Sequence, residues 1–300
     1  MDQEENIVIS ASRRTDIPAF YMDWFMAQVK RGYFEVFNPF NHKVSTVRTA
    51  PGFVHSFVFW SKNFGPFIKG NYAKKLEKMG YHLAFNFTIN SAVPILEPNV
   101  PSLKDRFGQL RYLCEHFMPE SIQWRFDPIC FYRIDRGRLQ DNLQHFELIA
   151  DMAAMCGVKR CITSFMDHYP KIQKRISRLS DFSFHDPPLE RKLEIILDME
   201  DKLTRRGISL YTCCEKEILD RLPPQSRVRR SSCITSDLLI KLYGGKVSLE
   251  TDHGQRVKKG CGCKVSKDIG SYRFHPCFHN CLFCYANPAL AQERYKPKGF

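Results

Sequence analysis

Apolar residues along the chain fall into short β-rich runs that alternate with longer stretches of helical spacing. The runs lie at residues 6–12 (NIVISAS), 54–60 (VHSFVFW), 82–89 (HLAFNFTI), 121–126 (SIQWRF), 158–165 (VKRCITSF) and 207–213 (GISLYTC). Apolar positions recurring every three to four residues predict helices at 21–31, 72–79, 103–117, 142–155 and 189–204. Residues 33–50 break the alternation and read as a β-hairpin inserted after the first helix.

This coarse alternation of strand and helix predicts a parallel sheet with helical crossovers, an α/β fold. The expectation is a partial (β/α)6-type barrel, with an open doubly wound sheet as the alternative. The polar residues at the end of each run favour the barrel, because parallel sheets build their sites at the C-terminal ends of their strands. The first run leads into Arg13, Arg14 and Asp16, the second into Lys62, and the third into Asn90 and then Glu97. The fourth holds Arg125 and Asp127 beside Trp124, the fifth leads into Asp167, His168 and Tyr169, and the sixth into Cys214 and Glu215. Arginine among apolar strand residues needs a partner or a ligand, so Arg13, Arg14, Asp16, Arg125 and Asp127 are the expected catalytic or substrate-binding groups, with Lys62 and Glu97 behind them. The corresponding domain expectation is a barrel over residues 1–220 and a basic, cysteine-rich region over 221–300 that packs on its mouth.

Composition adds two facts. Lys plus Arg number 45 against 32 Asp plus Glu, a net charge of +13, and the last hundred residues hold 19 of the former and 9 of the latter. Of twelve cysteines, eight lie after residue 200. The acidic start, MDQEENIVIS, lacks the basic and then apolar pattern of an export signal, and no apolar run approaches the roughly 20 residues of a membrane helix. A cytoplasmic protein without membrane contact is expected, and in a reducing compartment clustered thiols hold metal more often than they form disulfides.

Cys277, Cys281 and Cys284 form C-x3-C-x2-C, with Phe283 before the last cysteine. Three thiolates so spaced can bind three irons of a 4Fe–4S cluster and leave the fourth open; zinc completed by His275 or His279 is the alternative. Cys261 and Cys263, with Cys233 and Cys214 or its neighbour Cys213, form a second candidate set for an auxiliary cluster, a structural zinc, or no site at all. Cys114, Cys130, Cys156 and Cys161 sit in apolar surroundings and read as buried inert thiols, and Gly244-Gly245 as an ordinary turn. The cations around the cysteines, among them Arg227, Arg229, Arg230, Lys258, Lys259, Lys264, Lys267 and Arg273, would offset the charge of a thiolate cluster. They would equally suit a nucleic-acid backbone, with Tyr243, Tyr272, Phe274 and Phe278 as stacking partners. A metal-stabilised nucleic-acid-binding protein is therefore the competing expectation.

The motif C-x3-C-x-aromatic-C resembles the cluster loop of the radical S-adenosylmethionine superfamily. That resemblance implies a β/α barrel, S-adenosylmethionine chelated to the open iron, hydrogen abstraction from an unknown substrate, and an electron donor such as flavodoxin or ferredoxin; the strand-end arginines would suit anionic groups on that substrate or on S-adenosylmethionine. It also implies that Phe283, Tyr285 and Asn287 face the cofactor. In that superfamily the loop follows the first strand; here it ends 16 residues before the last residue of the sequence. The segments ISASRRTDIPAFY, VFWSKN, EPNVP, WRFDPI, SFMDHYPK and CGCKVSKDIGSYRFHPCFHNCLFCYAN are similar to domain-of-unknown-function family 1848, a resemblance that implies the same cysteine group and no known substrate.

Overall fold

The structure is a computed structural model and describes residues 6–286 except 39, 40, 42, 136 and 180. Its strands in chain order are β1 (Ile7–Ala11), β2 (Tyr33–Phe37), β3 (Val44–Arg48), β4 (Val54–Ser61), β5 (His82–Thr88), β6 (Ile122–Ile129) and β7 (Phe131–Ile134). They continue as β8 (Gln140–Asp141), β9 (Arg160–Phe165), β10 (Phe182–His185), β11 (Ser209–Thr212), β12 (Arg229–Arg230) and β13 (Lys267–Asp268). Eight of them form one sheet in the order β12-β11-β9-β6-β5-β4-β1-β13, and every neighbouring pair is parallel. The fold is thus mixed α/β around a large parallel sheet.

The six apolar runs are the six longer strands of this sheet, and the hairpin is β2 against β3. The predicted helices form at Met22–Arg31, Tyr72–Lys78, Leu103–His116, Phe146–Met155 and Leu189–Thr204. The fourth begins four residues later than its periodicity suggests. Asn142 there spends its amide on a loop, accepting from Cys130 N at 2.9 Å and donating to Pro128 O at 3.0 Å, and Gln140–Asp141 pairs as a strand. The antiparallel sheet β10-β7-β8 and the edge strands β12 and β13 were not expected.

Alternation along the strands gives the sheet two unlike faces. One face carries Ile9, Phe57, Phe59, Phe85, Phe87, Trp124, Phe126, Cys161 and Leu210, packed with Phe25, Leu110, Ile149, Ile196 and Met199 from the helices. On the other face Val8, Val58 and Ala84 meet Ile234, Leu239 and Val247. Burying the larger face supplies most of the driving force for folding, since each fully buried aromatic or aliphatic side chain contributes about 1.5–3 kcal/mol. The second face also buries Ser10, Ser56, Asn86, Gln123 and Arg125. Asn86 donates to Cys233 O at 3.2 Å, which fixes the segment after β12 across the middle of the sheet.

Residues 221–300 contribute both edge strands. The chain between them touches one edge and then the other: Gly262 N donates to Ser231 O just beyond β12 at 3.1 Å, and Lys267 and Asp268 then pair with Ile9 and Ser10. Among the described residues, no helix is long and apolar enough to cross a membrane.

Candidate active and metal site

A cavity of about 280 Å³ opens at the C-terminal ends of the parallel strands. Arg13, Asp16, Lys62, Arg125 and Asp127 line it, together with all three cysteines of the C-x3-C-x2-C loop and with Phe283 and Tyr285. Cys213, Cys214, Cys233, Cys261 and Cys263 line it too. The fold therefore brings both sequence-predicted cysteine groups and most of the charged strand-end residues to one place. Asn287 lies outside the described residues.

The cysteine loop is held by residues that lie outside its own motif. Arg175, buried on the helix Pro170–Ile176, donates from Nη1 to Cys281 O at 2.9 Å and Leu282 O at 2.8 Å, and from Nη2 to Cys284 O at 2.8 Å. Leu282 N donates to Leu96 O at 2.9 Å, Asn99 Nδ2 to Phe278 O at 2.8 Å, and Tyr21 OH to Pro276 O at 2.6 Å. Burial pushes the Cys277 and Cys281 thiols up, and Lys62, between Cys281 and Glu97, opposes that rise at both. Lys62 Nζ lies 2.5 Å from Glu97 Oε1 and 5.3 Å from the centre of the Phe283 ring.

Asp16 is a latch. Its carboxylate accepts from Ala19 N at 3.0 Å and Ser61 Oγ at 2.7 Å on one oxygen, and from Lys62 N at 2.8 Å on the other, which also meets His279 Nε2 at 2.8 Å. It caps the helix Ile17–Phe20 and ties the ends of β1 and β4 to the cysteine loop, so its lone pairs are engaged within the protein. Arg14 is not among the cavity-lining residues; it donates to Phe37 O at 3.2 Å and Gly270 O at 3.0 Å. Its neighbour Arg13 faces the cavity, donates to Ser266 Oγ at 3.1 Å and lies 5.9 Å from the Trp60 ring.

Arg125 is enclosed by Asp127, by Cys233 Sγ at 2.8 Å and by the Trp60 ring at 5.2 Å. Cys233, Asp127 and Cys213 hold its guanidinium well above the usual range against desolvation. The five thiols of this group form a ring of sulfur contacts. Cys213 Sγ lies 3.8 Å from Cys214 Sγ and 3.9 Å from Cys233 Sγ, Cys233 contacts Cys263, and Cys261 contacts both Cys263 and Cys214. Hydrogen bonds from Cys213 and Cys261, helped by Arg256, pull the Cys214 thiol down to about 4, while Cys213 is pushed up. Among the described residues, no three His, Cys, Asp or Glu side chains are already gathered about one point as around a bound ion.

Donor chemistry is the test of whether these residues fit an iron–sulfur cluster. Three thiols on one short, internally pinned loop, all lining the cavity, match a cluster held at three corners and open at the fourth. Lys62 and Arg175, which interact with these thiols, would offset the negative charge of such a cluster. The fit is good for Cys277, Cys281 and Cys284.

The aromatic residues weighed as base-stacking partners have partners within the protein. Tyr243 stacks on His82 at 4.4 Å and donates to Leu83 O at 2.5 Å, Tyr272 faces Arg14, and Phe278 packs on Phe20. Phe274 is exposed and meets Phe37. Arg175 and Arg256 are the site residues that the sequence did not single out; His279 was weighed only as a zinc ligand, and Trp60 and Asn99 lie within the segments VFWSKN and EPNVP without a role assigned to them.

No curated protein matches the chain. Among solved structures it is similar to a sugar phosphate isomerase/epimerase from Parabacteroides distasonis, with 6% identity and a TM-score of 0.33 over 95% of this chain and 94% of that one. A family profile described as Domain of unknown function (DUF1848) matches residues 8–286. By that match over almost its whole length, the chain belongs to the DUF1848 family.

Proposed function

We propose that this chain is an iron–sulfur enzyme of the radical S-adenosylmethionine type, built on a partially closed β/α barrel, with Cys277, Cys281 and Cys284 as ligands of the reactive 4Fe–4S cluster. The observation that carries the reading is the convergence of all three thiols on one cavity at the C-terminal strand ends. The place of the loop supports it as well. The cysteines come late in sequence, yet they follow β13, an edge strand lying beside β1, so in space they occupy a strand-end position at the start of the sheet.

When bound, the cluster would supply one electron to cleave a carbon–sulfur bond of S-adenosylmethionine. The protein's own residues bind, orient and exclude water. Phe283 and Tyr285 present aromatic surface to the cofactor side of the cavity. Arg13 and Arg256, whose guanidinium groups reach the same cavity, bind anionic groups of the cofactor or substrate. Arg125 and Asp127, already joined to each other, fix the floor beneath them together with Trp60. The basic surface around the cysteines suits an acidic electron donor such as a flavodoxin or ferredoxin.

The test is anaerobic reconstitution with iron and sulfide, reduction, and assay of 5′-deoxyadenosine released from S-adenosylmethionine. Release by the wild type and its abolition in Cys281→Ala, together with loss of the visible cluster absorption, are expected. A reconstituted protein that leaves S-adenosylmethionine intact, or a Cys281→Ala variant that retains cluster and turnover, overturns the reading.

A further inference from the structure

The ring of five thiols lies outside the C-x3-C-x2-C loop and has no part in the chemistry above. It is assembled from three stretches of chain: Cys213 and Cys214 directly after β11, Cys233 after β12, and Cys261 and Cys263 on the approach to β13. The backbone holds these stretches together without help from the sulfurs. Ser231 N donates to Thr212 O at 2.8 Å, Gly262 N to Ser231 O at 3.1 Å, and Lys264 N to Ile234 O at 3.1 Å. Gly262 lies so close to its neighbour that a Cβ there would stand 2.7 Å from Ser231 O.

We propose that this ring is a thiolate site for one tetrahedral divalent ion of the zinc class, separate from the Cys277 loop. Around an ion with metal–sulfur bonds of about 2.3 Å, the sulfurs of a tetrahedron stand about 3.8 Å apart. The separations of Cys213 from Cys214 and from Cys233, 3.8 and 3.9 Å, have that length. The sulfurs touch as a ring and do not yet converge on one point; gathering four of them about an ion takes side-chain rotation on a backbone already in place. Cys233, Cys261 and Cys263 are buried, as an enclosed structural site requires. Charge agrees with this assignment. Four thiolates around a divalent ion carry two net negative charges, and Arg125, Arg13, Arg256 and Arg160 are cations that feel these sulfurs, Arg125 at 2.8 Å from Cys233 Sγ. The first three of these guanidinium groups already face an aspartate each, Arg125 Asp127, Arg13 Asp252 and Arg256 Asp167, and the thiolates would be a further anionic neighbour. Five candidate ligands exceed the four that one ion takes, so one thiol stays free at the cavity.

The experiment uses full-length protein in which the other loop is removed, Cys277→Ser/Cys281→Ser/Cys284→Ser. This variant and the wild type are dialysed against a mild chelator, and zinc, iron and acid-labile sulfide are counted per chain. Zinc retained near one per chain in both, and the visible ligand-field absorption of tetrahedral cobalt thiolate after exchange with cobalt, are expected. Zinc is lost in Cys261→Ser/Cys263→Ser, which removes two ligands at once so that the fifth thiol cannot compensate, and it is kept in the control Cys114→Ser. If the double variant does not fold, zinc release from the triple variant on titration with a mercurial thiol reagent gives the same answer. Absence of zinc from the triple variant overturns the proposal, as does iron with sulfide at this site in its place. The count is independent of S-adenosylmethionine cleavage, so it can fail while the radical reading stands, and the reverse.

Discussion

Asp16 and His279 are 263 positions apart in the chain, and their side chains meet at 2.8 Å in a buried contact at the heart of the cavity wall. The contact joins the end of the first strand to the interior of the cysteine loop. Asp16 also caps a helix and accepts from Ser61 and Lys62, so one carboxylate sets the relative position of β1, β4 and the loop.

Replacing Asp16 by Ala orphans several buried donors at once, each costing about 1–3 kcal/mol when left unpaired. Chemical denaturation of Asp16→Ala is expected to show a loss of about 2–5 kcal/mol, together with weaker iron binding. A variant as stable as the wild type would show that the latch is dispensable.

Arg175 makes a different kind of contribution, because its planar fork binds the carbonyls of Cys281, Leu282 and Cys284 simultaneously. A lysine ammonium cannot reproduce that fork. Iron content after reconstitution should therefore fall several-fold in Arg175→Lys and in Arg175→Met alike, with the sheet still folded by circular dichroism. Full iron loading of Arg175→Lys would reduce the role of Arg175 to one of charge.

Glu215 gives the protein a pH dependence. Its carboxylate accepts from Phe165 N at 2.8 Å, yet burial pushes its pKa up to about 7. A carboxyl group raised on folding favours the native state below its unfolded pKa, and that contribution is lost as pH rises through about 7. Thermal unfolding from pH 5 to pH 8 should show declining stability. Glu215→Gln, which keeps the acceptor without the charge, should flatten the decline and be the more stable protein at pH 8; an unchanged slope would exclude Glu215 as its source.

Gly270 approaches Ser12 so closely that a Cβ would fall 2.1 Å from Ser12 Oγ and 2.7 Å from Ser12 Cβ. Gly270→Ala should cost about 1–3 kcal/mol through displaced backbone. Adding Ser12→Ala should not restore it, because the second clash is with Cβ. Recovery in the double variant would locate the strain elsewhere.

The parts of this fold that could be read in advance are those that repeat along the chain. Residues 54–60 and 82–89 announce strands because their apolar side chains must cover both a helix layer and part of the opposite face. β12 and β13 are two residues each, too short to carry a period, and exist only because a neighbouring strand offers them hydrogen bonds. The cysteine loop was legible from the spacing of its three thiols, which lie within eight adjacent residues. Arg175 was not, because KIQKRIS reads like any solvated basic turn until tertiary packing turns one arginine inward. Arg13 and Arg14 show the same limit more sharply: adjacent and chemically identical, one lines the cavity and the other serves backbone carbonyls.

The pairing of β13 with β1 also bears on how the molecule comes into being. Ser10 Oγ donates to Asp268 Oδ2 at 3.0 Å across 258 positions, so the edge of β1 is covered only once a segment far downstream of it has been translated. Contacts so remote in sequence form slowly. Neither thiol group can assume its native surroundings until the strands it meets have been made, because the Cys277 loop and the Cys261–Cys263 pair both follow β1 to β12 in the chain. Under the two proposals above, metal would therefore be taken up after translation of these segments, by an apoprotein whose sheet is already ordered.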